Sequence, residues 1–426
     1  MGLVCVVVFV AWAFGCGFPR PTPFGGMDAT DDDDGGVSTS PVCTANQTLR
    51  CEGSNLVRCN SDGTAEIKES CAVRCSTSEL RCEDVKPSNG LAPYLDMTAG
   101  EPDANLGTAA TINTDDGTIL VDGKPVALNN TPVTQPGAPT IRVFIVHSLT
   151  TGDVTIRGSN ALAIVSAGEL KVGGIMAASA AFGTPGAGGF NENTCQGADG
   201  VQFNSSVFGG SGGGGFGAAG GGGGASVFSS SVSALGGAGG RPAGNATLVP
   251  LRGGCNGGNF NTPFGLAKGG AGGGAIQLVS RTRIAVSGAV AANGSSAIGG
   301  GSGGGILLEA PVVEVSGSVV ANGGGGANGC GLLAIVEGAD GRLDATPASG
   351  STAPCSSSGV NGGNGGAGNI PAGGGPNNLS PPSTGGMFAG HGGGGVGRIR
   401  VNTVSGGLQV TGLFSPNPTT GTIASR

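Results

Sequence analysis

Charged residues make up only 11% of this 426-residue chain, about half the usual share. Its 20 Lys and Arg against 27 Asp and Glu give a net charge of −7 and form no basic stripe. Nothing is therefore present to displace counterions from phosphates, which excludes nucleic acid as a partner. Aromatic residues are 4%, with one Trp and one Tyr. Helical apolar periodicity with capping residues is missing over any useful length, so the chain reads as all-β.

Histidine is equally scarce, with His147 and His391 the only two. A nucleophilic triad needs a His beside Ser or Cys with an orienting acid, and zinc wants three or four ligands. His147 reads as a strand-end surface residue, and His391, in AGHGGGGVG, as a side chain filling a polar gap between glycine strands. Strings resembling GxGxxG precede no helix, and Lys268 in AKGGAGGG does not fit a phosphate-binding GK[ST] loop. No catalytic residue, no metal site and no cofactor is expected.

What the chain has in excess is glycine, 92 residues of it. No Gly-X-Y period runs through it, which excludes collagen. Low charge with abundant Val and Ile argues against ordinary disorder.

Residues 1–16, MGLVCVVVFVAWAFGC, form an apolar run too short to span a bilayer comfortably and fit an export signal. AFGC resembles a bacterial lipobox, with Ala13 where Leu is usual. That resemblance implies lipidation at Cys16; cleavage nearby without lipid, or a simple anchor helix, are the alternatives. Residues 17–42 follow as a Pro/Gly/Ser linker whose run Asp31–Asp34 repels itself and extends the chain.

Setting aside Cys5 and Cys16 leaves ten cysteines, an even number that in an exported chain reads as disulfides. Six crowd into a module at 43–85: Cys43, Cys51, Cys59, Cys71, Cys75 and Cys82. With almost no apolar core this module must be stapled covalently; fifteen pairings are open to six cysteines. NLVRCNSDGTAEIKES within it reads as a hairpin around Asp62-Gly63. The four downstream cysteines pair most simply as Cys195–Cys255 and Cys330–Cys355.

From 91 to 426 apolar islands alternate with glycine tracts. LAIVSAGELKVGGIMAAS (162–179), IQLVSRTRIAVSGAVAAN (276–293), ILLEAPVVEVSGSVVAN (306–322) and IRVNTVSGGLQVTGLF (399–414) share one design. Two alternate apolar residues are followed by a kink, two more, a Ser/Gly corner and a small-residue strand. The inward candidates are Leu162/Ile164, Ile276/Leu278, Ile306/Leu308 and Ile399/Val401, then Leu170/Val172, Ile284/Val286, Val313/Val315 and Leu408/Val410. Corners fall at Gly174, Gly288, Gly317 and Gly412. One such unit cannot bury its own face, but units stacked ~4.8 Å apart pair every strand with those above and below. The expectation is a right-handed parallel β-helix, or solenoid, with Gly-rich excursions and a small disulfide-rich module ahead of it; a two-sheet sandwich is the competing architecture. The excursions, about 180–225, 235–274, 294–304 and 323–395, read as flexible tails, packed polyproline-II strands or tight edge loops, and the cysteines within them favour packed backbone.

These islands resemble uncharacterised Gly-rich, β-helix-type exported proteins of social and gliding bacteria, and LRCEGSNLVRCNSDG resembles the Cys-rich segment that accompanies them. More loosely the units resemble adhesins and polysaccharide-processing β-helices. The resemblance implies a non-enzymatic lipoprotein of the outer membrane or cell surface, or a secreted one. Its membrane contact would run through the lipid, and its partner would be polysaccharide, matrix or another cell. The alternative is a polysaccharide lyase or glycoside hydrolase, which needs two carboxylates within ~5–10 Å. The outward columns Ala163/Gln277/Leu307/Arg400 and Lys171/Ala285/Glu314/Gln409 stack no two acids. The remaining cluster, Asp115, Asp116, Asp122 and Asp153, is explained by turn chemistry. Ice or mineral binding would need a flat Thr-bearing face, and the islands carry too few threonines.

Overall fold

The computed structural model describes residues 42–426, apart from 205, 229–230, 263–264, 331–334, 353–358 and 380–385. The signal at 1–16 with Cys16, the linker to residue 41, and Cys355 lie outside the described residues.

The chain is nearly all β. Its Cys-rich module is a three-stranded antiparallel sheet, Thr48–Glu52, Asn55–Cys59 and Glu66–Ser70, in which Cys59 faces Glu66 across the Asp62-Gly63 turn. Gly63 takes φ +80°, a conformation that glycine adopts without the steric cost a Cβ imposes. Three disulfides staple the module: Cys43–Cys59, Cys51–Cys75 and Cys71–Cys82.

Beyond it, three long sheets share the islands between them. The first runs Asn129–Val133, Ile141–Val146, Ala161–Ser166, Ala275–Ser280, Gly305–Glu309, Arg398–Thr403, Thr419–Thr422, and every pair after the first is parallel. Asp103–Asn105, Ser148–Thr151, Leu170–Val172, Arg283–Val286, Val312–Val315 and Leu408–Val410 form the second, all parallel. The third begins with a meander, Ala109–Asn113, Ile119–Val121 and Lys124–Val126. It continues in parallel through Asp153–Arg157, Ile175–Ala177, Ala289–Ala291, Ser318–Val320 and Leu413–Ser415.

Each island thus gives one strand to each sheet in turn. Leu162 pairs with Ile276, Ile276 with Ile306 and Ile306 with Ile399; Leu170, Ile284, Val313 and Leu408 pair likewise in the second sheet. Side chains from all three sheets meet in one apolar core. At about 1.5–3 kcal/mol for each fully buried Ile, Leu or Val, it is the main stabilising term. The corner glycines stack as well. A Cβ on Gly288 would strike the Gly174 carbonyl, one on Gly317 that of Gly288, and one on Gly412 that of Gly317.

Four expectations need correction. The column Ala163, Gln277, Leu307 points away from the core but is fully buried. A second core covers it, built from Leu91, Leu95, Phe216, Leu248, Leu251 and Ile423. Buried on both faces, the first sheet reads as continuous apolar runs, as parallel sheets do. A short helix, Ala92–Asp96, carries Leu95 into that layer and was not visible as periodicity because it is barely one turn long. Val410 is 46% exposed: its strand is the last of the second sheet and no further unit covers it. Finally, the stretch left between the expected excursions 180–225 and 235–274 is a hairpin, Ser226–Phe228 with Ser231–Ala234, so the two are one excursion.

The two ends of the chain's β region are clasped. Val85 bridges Ser425, and Arg426 is ion-paired with Asp84 and Asp96, the former shared with Arg281 at 3.0 Å.

Candidate functional site

The glycine tracts form an ordered bundle. The N–H groups of Gly209, Gly212 and Gly215 donate to Val201, Ala198 and Cys195, while those of Gly210 and Gly213 donate to Gly224 and Gly221. Gly214 donates in a third direction, to Gly300. Successive residues thus aim at three different neighbours and every third residue at the same one, the threefold symmetry of a polyproline-II strand. Such a strand satisfies no hydrogen bond internally, so its donors are met by the strands packed around it. Only glycine permits that packing: a Cβ at Gly209, Gly210, Gly212 or Gly213 would land on a neighbouring carbonyl oxygen.

His391 belongs to this lattice. Its Nδ1 accepts the Ser211 N–H at 2.9 Å, the place in the Gly214 row where a carbonyl would otherwise stand, and the Phe260 ring meets it edge-on at 5.3 Å. Burial pushes its pKa down to about 4, so it stays neutral, an acceptor on the Nδ1 side. His147 is exposed at a strand end, and the neighbouring Ser148 hydroxyl donates to Asp103 and not to an imidazole. No triad forms.

The N-terminal acids are dispersed into turns. Asp115 accepts from the backbone and hydroxyl of Ser159, Asp116 from those of Thr118, and Asp153 from the Ile175 N–H. Hydrogen bonds from Thr118 hold the Asp116 carboxyl below the usual range. Among the described residues no group of three His, Cys, Asp or Glu side chains is placed to hold a metal ion. Lys171, Glu314 and Gln409 lie on the outer face of the second sheet, where Arg283 is ion-paired with Glu314.

A disulfide joins Cys195 to Cys255 across the bundle. Cys330 is also disulfide-bonded, and its expected partner, Cys355, lies outside the described residues. Disulfides of this number suit oxidising, extracellular surroundings. Among the described residues no helix is long and apolar enough to cross a membrane.

Sequence reasoning missed the bundle's surface. From 200 to 240 and from 345 to 390 there is no Lys, Arg, Asp or Glu. Strand ends emerging from the bundle expose Val201, Phe203, Leu235 and Leu379, and Val201 accepts its place by donating its N–H to Leu235 at 2.9 Å. Behind them Phe208 stacks on Phe388 at 5.0 Å. A cavity of about 400 Å³ opens nearby between Phe182, Leu266, Ile298 and Ile335, with Lys268 and Glu337 at its rim. Burial and the neighbouring Asp340 hold the Glu337 carboxyl above its usual range. The signal in the sequence was the absence of charge within the tracts.

Comparison with protein-family models, curated proteins and solved structures returns no match.

Proposed function

We propose that the chain is an exported, non-enzymatic surface protein: a right-handed parallel β-helix anchored through lipid at Cys16, displaying a glycine bundle for contact with polysaccharide, matrix or another cell. The right hand follows from the strong bias of parallel crossovers. One observation carries the functional reading. The bundle satisfies its own backbone, carries no charged residue over 200–240 and 345–390, and turns Phe203, Leu235 and Leu379 outward beside the exposed Ser206. Such a surface suits contact with sugar rings, whose C–H faces and hydroxyls ask for the same mixture.

Incubating the purified full chain on a glycan array, with parallel measurement of released reducing ends, tests this. Retention of one or more glycans without release is the expected result; release of reducing ends, or no retention at all, contradicts it. For the anchor, Cys16→Ser is expected to move the protein from membranes to the medium, and unchanged membrane recovery would remove the lipid from the proposal.

A further inference from the structure

Phe216 is fully buried with two guanidinium groups against it, that of Arg252 at 5.6 Å from the ring centroid and that of Arg398 at 5.7 Å. The two are not equivalent. Arg252 is itself buried, ion-paired with Glu192, and donates to Cys195 Sγ at 3.8 Å. Among the described residues Glu192 is the carboxylate ion-paired at this corner, and Arg252 takes it.

Arg398 donates its Nε to the Ala243 carbonyl at 3.0 Å, and no carboxylate among the described residues lies within ion-pair distance of it. Its side chain leaves the outer face of the first sheet, since Ile399 and Val401 fill the inner one. Arg400, two residues along, projects from that same face. It donates Nε to Asn402 Oδ1 at 2.7 Å and an Nη to the Thr420 carbonyl at 2.8 Å, and no acid among the described residues is ion-paired with it. Beside Arg398 a cavity of about 180 Å³ opens between Ala246, Val396, Pro416, Asn417 and Thr419.

A charge withdrawn from water is costly unless it is paired. Burial first, and then repulsion from Arg252, lower the proton affinity of Arg398, so the corner is one negative charge short. Both side chains are fixed by protein contacts with Nη donors left over, and a guanidinium's planar fork matches a carboxylate with two parallel hydrogen bonds.

We propose that Arg398 and Arg400 accept the carboxylates of an acidic, uronate-bearing polysaccharide laid across the mouth of this cavity, which Arg398 lines and where Arg400 pairs with the lining residue Thr419. This inference rests on the polysaccharide-binding reading above and names the class of polymer. A densely charged polyanion does not suit a chain of net charge −7, whereas a glycan with spaced carboxylates needs only a few cations. Neutral sugar units between the acids would lie against the uncharged glycine bundle.

The test is calorimetric titration of the full chain with a partly methyl-esterified oligogalacturonate, whose free acids are spaced by neutral units, and with the fully methyl-esterified form, beside Arg398→Gln, Arg398→Lys and Arg400→Gln. The partly esterified form is expected to bind and to weaken as salt is raised, and the full ester to bind at least tenfold more weakly. Arg398→Gln is expected to lose about 10- to 100-fold, the worth of charged hydrogen bonds, with Arg398→Lys between it and wild type. Thermal midpoints check that the variants fold; if Arg398→Gln is unstable, the partly exposed Arg400→Gln carries the test. Equal binding of the two forms, or wild-type affinity in both Gln variants, overturns this site and leaves the wider reading standing. Failure to bind any glycan overturns both.

Discussion

Gln277 donates its side-chain amide to the Glu309 carboxylate at 2.7 Å, one island to the next, on the covered face of the first sheet. Glu309 is 2% exposed and accepts three more hydrogen bonds, from the Ser88 N–H at 3.0 Å, the Ser88 hydroxyl at 2.7 Å and the Asn402 amide at 3.0 Å. These contacts fasten the segment after the Cys-rich module to the middle of the stack. Glu309→Ala removes the acceptor of four donors, two on buried Gln277 and Asn402 and two on half-buried Ser88, and is expected to cost about 3–5 kcal/mol. Glu309→Gln keeps one acceptor oxygen and should cost less. Urea denaturation of the two variants checks the order, and equal stability of wild type and Glu309→Ala would contradict it.

Three adjacent glycines separate close packing from mere flexibility. A Cβ on Gly221 would strike the Gly373 carbonyl and one on Gly223 that of Gly210, while Gly222 meets nothing nearer than 3.7 Å. Gly221→Ala and Gly223→Ala should each cost about 1–3 kcal/mol through overpacking. Gly222→Ala should be neutral or stabilise by roughly 0.4–1 kcal/mol, since alanine restricts the unfolded chain. Three indistinguishable melting curves would refute this picture of the bundle.

His391 predicts acid lability. Its pKa is about 4 in the folded chain against about 6.5 unfolded. As pH falls below that unfolded value the unfolded chain takes up a proton that the folded one refuses, so stability declines until about pH 4. The full loss is about 3 kcal/mol. Protonation also turns the acceptor facing Ser211 into a donor. Comparing urea midpoints near pH 7 and near pH 4.5, His391→Asn should show a smaller acid loss than wild type. Carboxylates with lowered pKa, such as Asp96 beside Arg426, act below this window.

The Cys195–Cys255 bridge closes a stretch of 60 residues, which in the chain-entropy model is worth about 4 kcal/mol. The double substitution to Ala should lower the thermal midpoint accordingly. A loss below about 1 kcal/mol would mean that the glycine hydrogen bonds already confine this loop.

Much of the architecture was legible because period-two alternation fixes which residues face one another. The succession of pairs Leu162–Ile276, Ile276–Ile306 and Ile306–Ile399 follows from four similar islands held in phase. Partners of the glycines were not legible. Gly214 reaches Gly300 and Gly221 reaches Gly393, and a residue without a side chain carries no mark of its neighbour. The burial of Gln277 was hidden for a related reason. Its cover comes from residues about two hundred positions earlier and from Leu248 and Phe216, whose placement depends on the whole fold. Pairing within the Cys-rich module was open for the same reason, since six equivalent thiols are sorted only by the folded backbone. Nor did the arginines stand out: Arg398 and Arg400 look like ordinary strand residues until the distribution of acids in space is known.

Amide hydrogen exchange along Gly209–Gly215 tests the central claim most directly, that the glycine tracts are hydrogen-bonded strands built onto the stacked islands. Protection in that tract is predicted to approach that of Ile276–Ser280 in the first sheet. Exchange there at the rate of a free Gly/Ser coil would contradict the account.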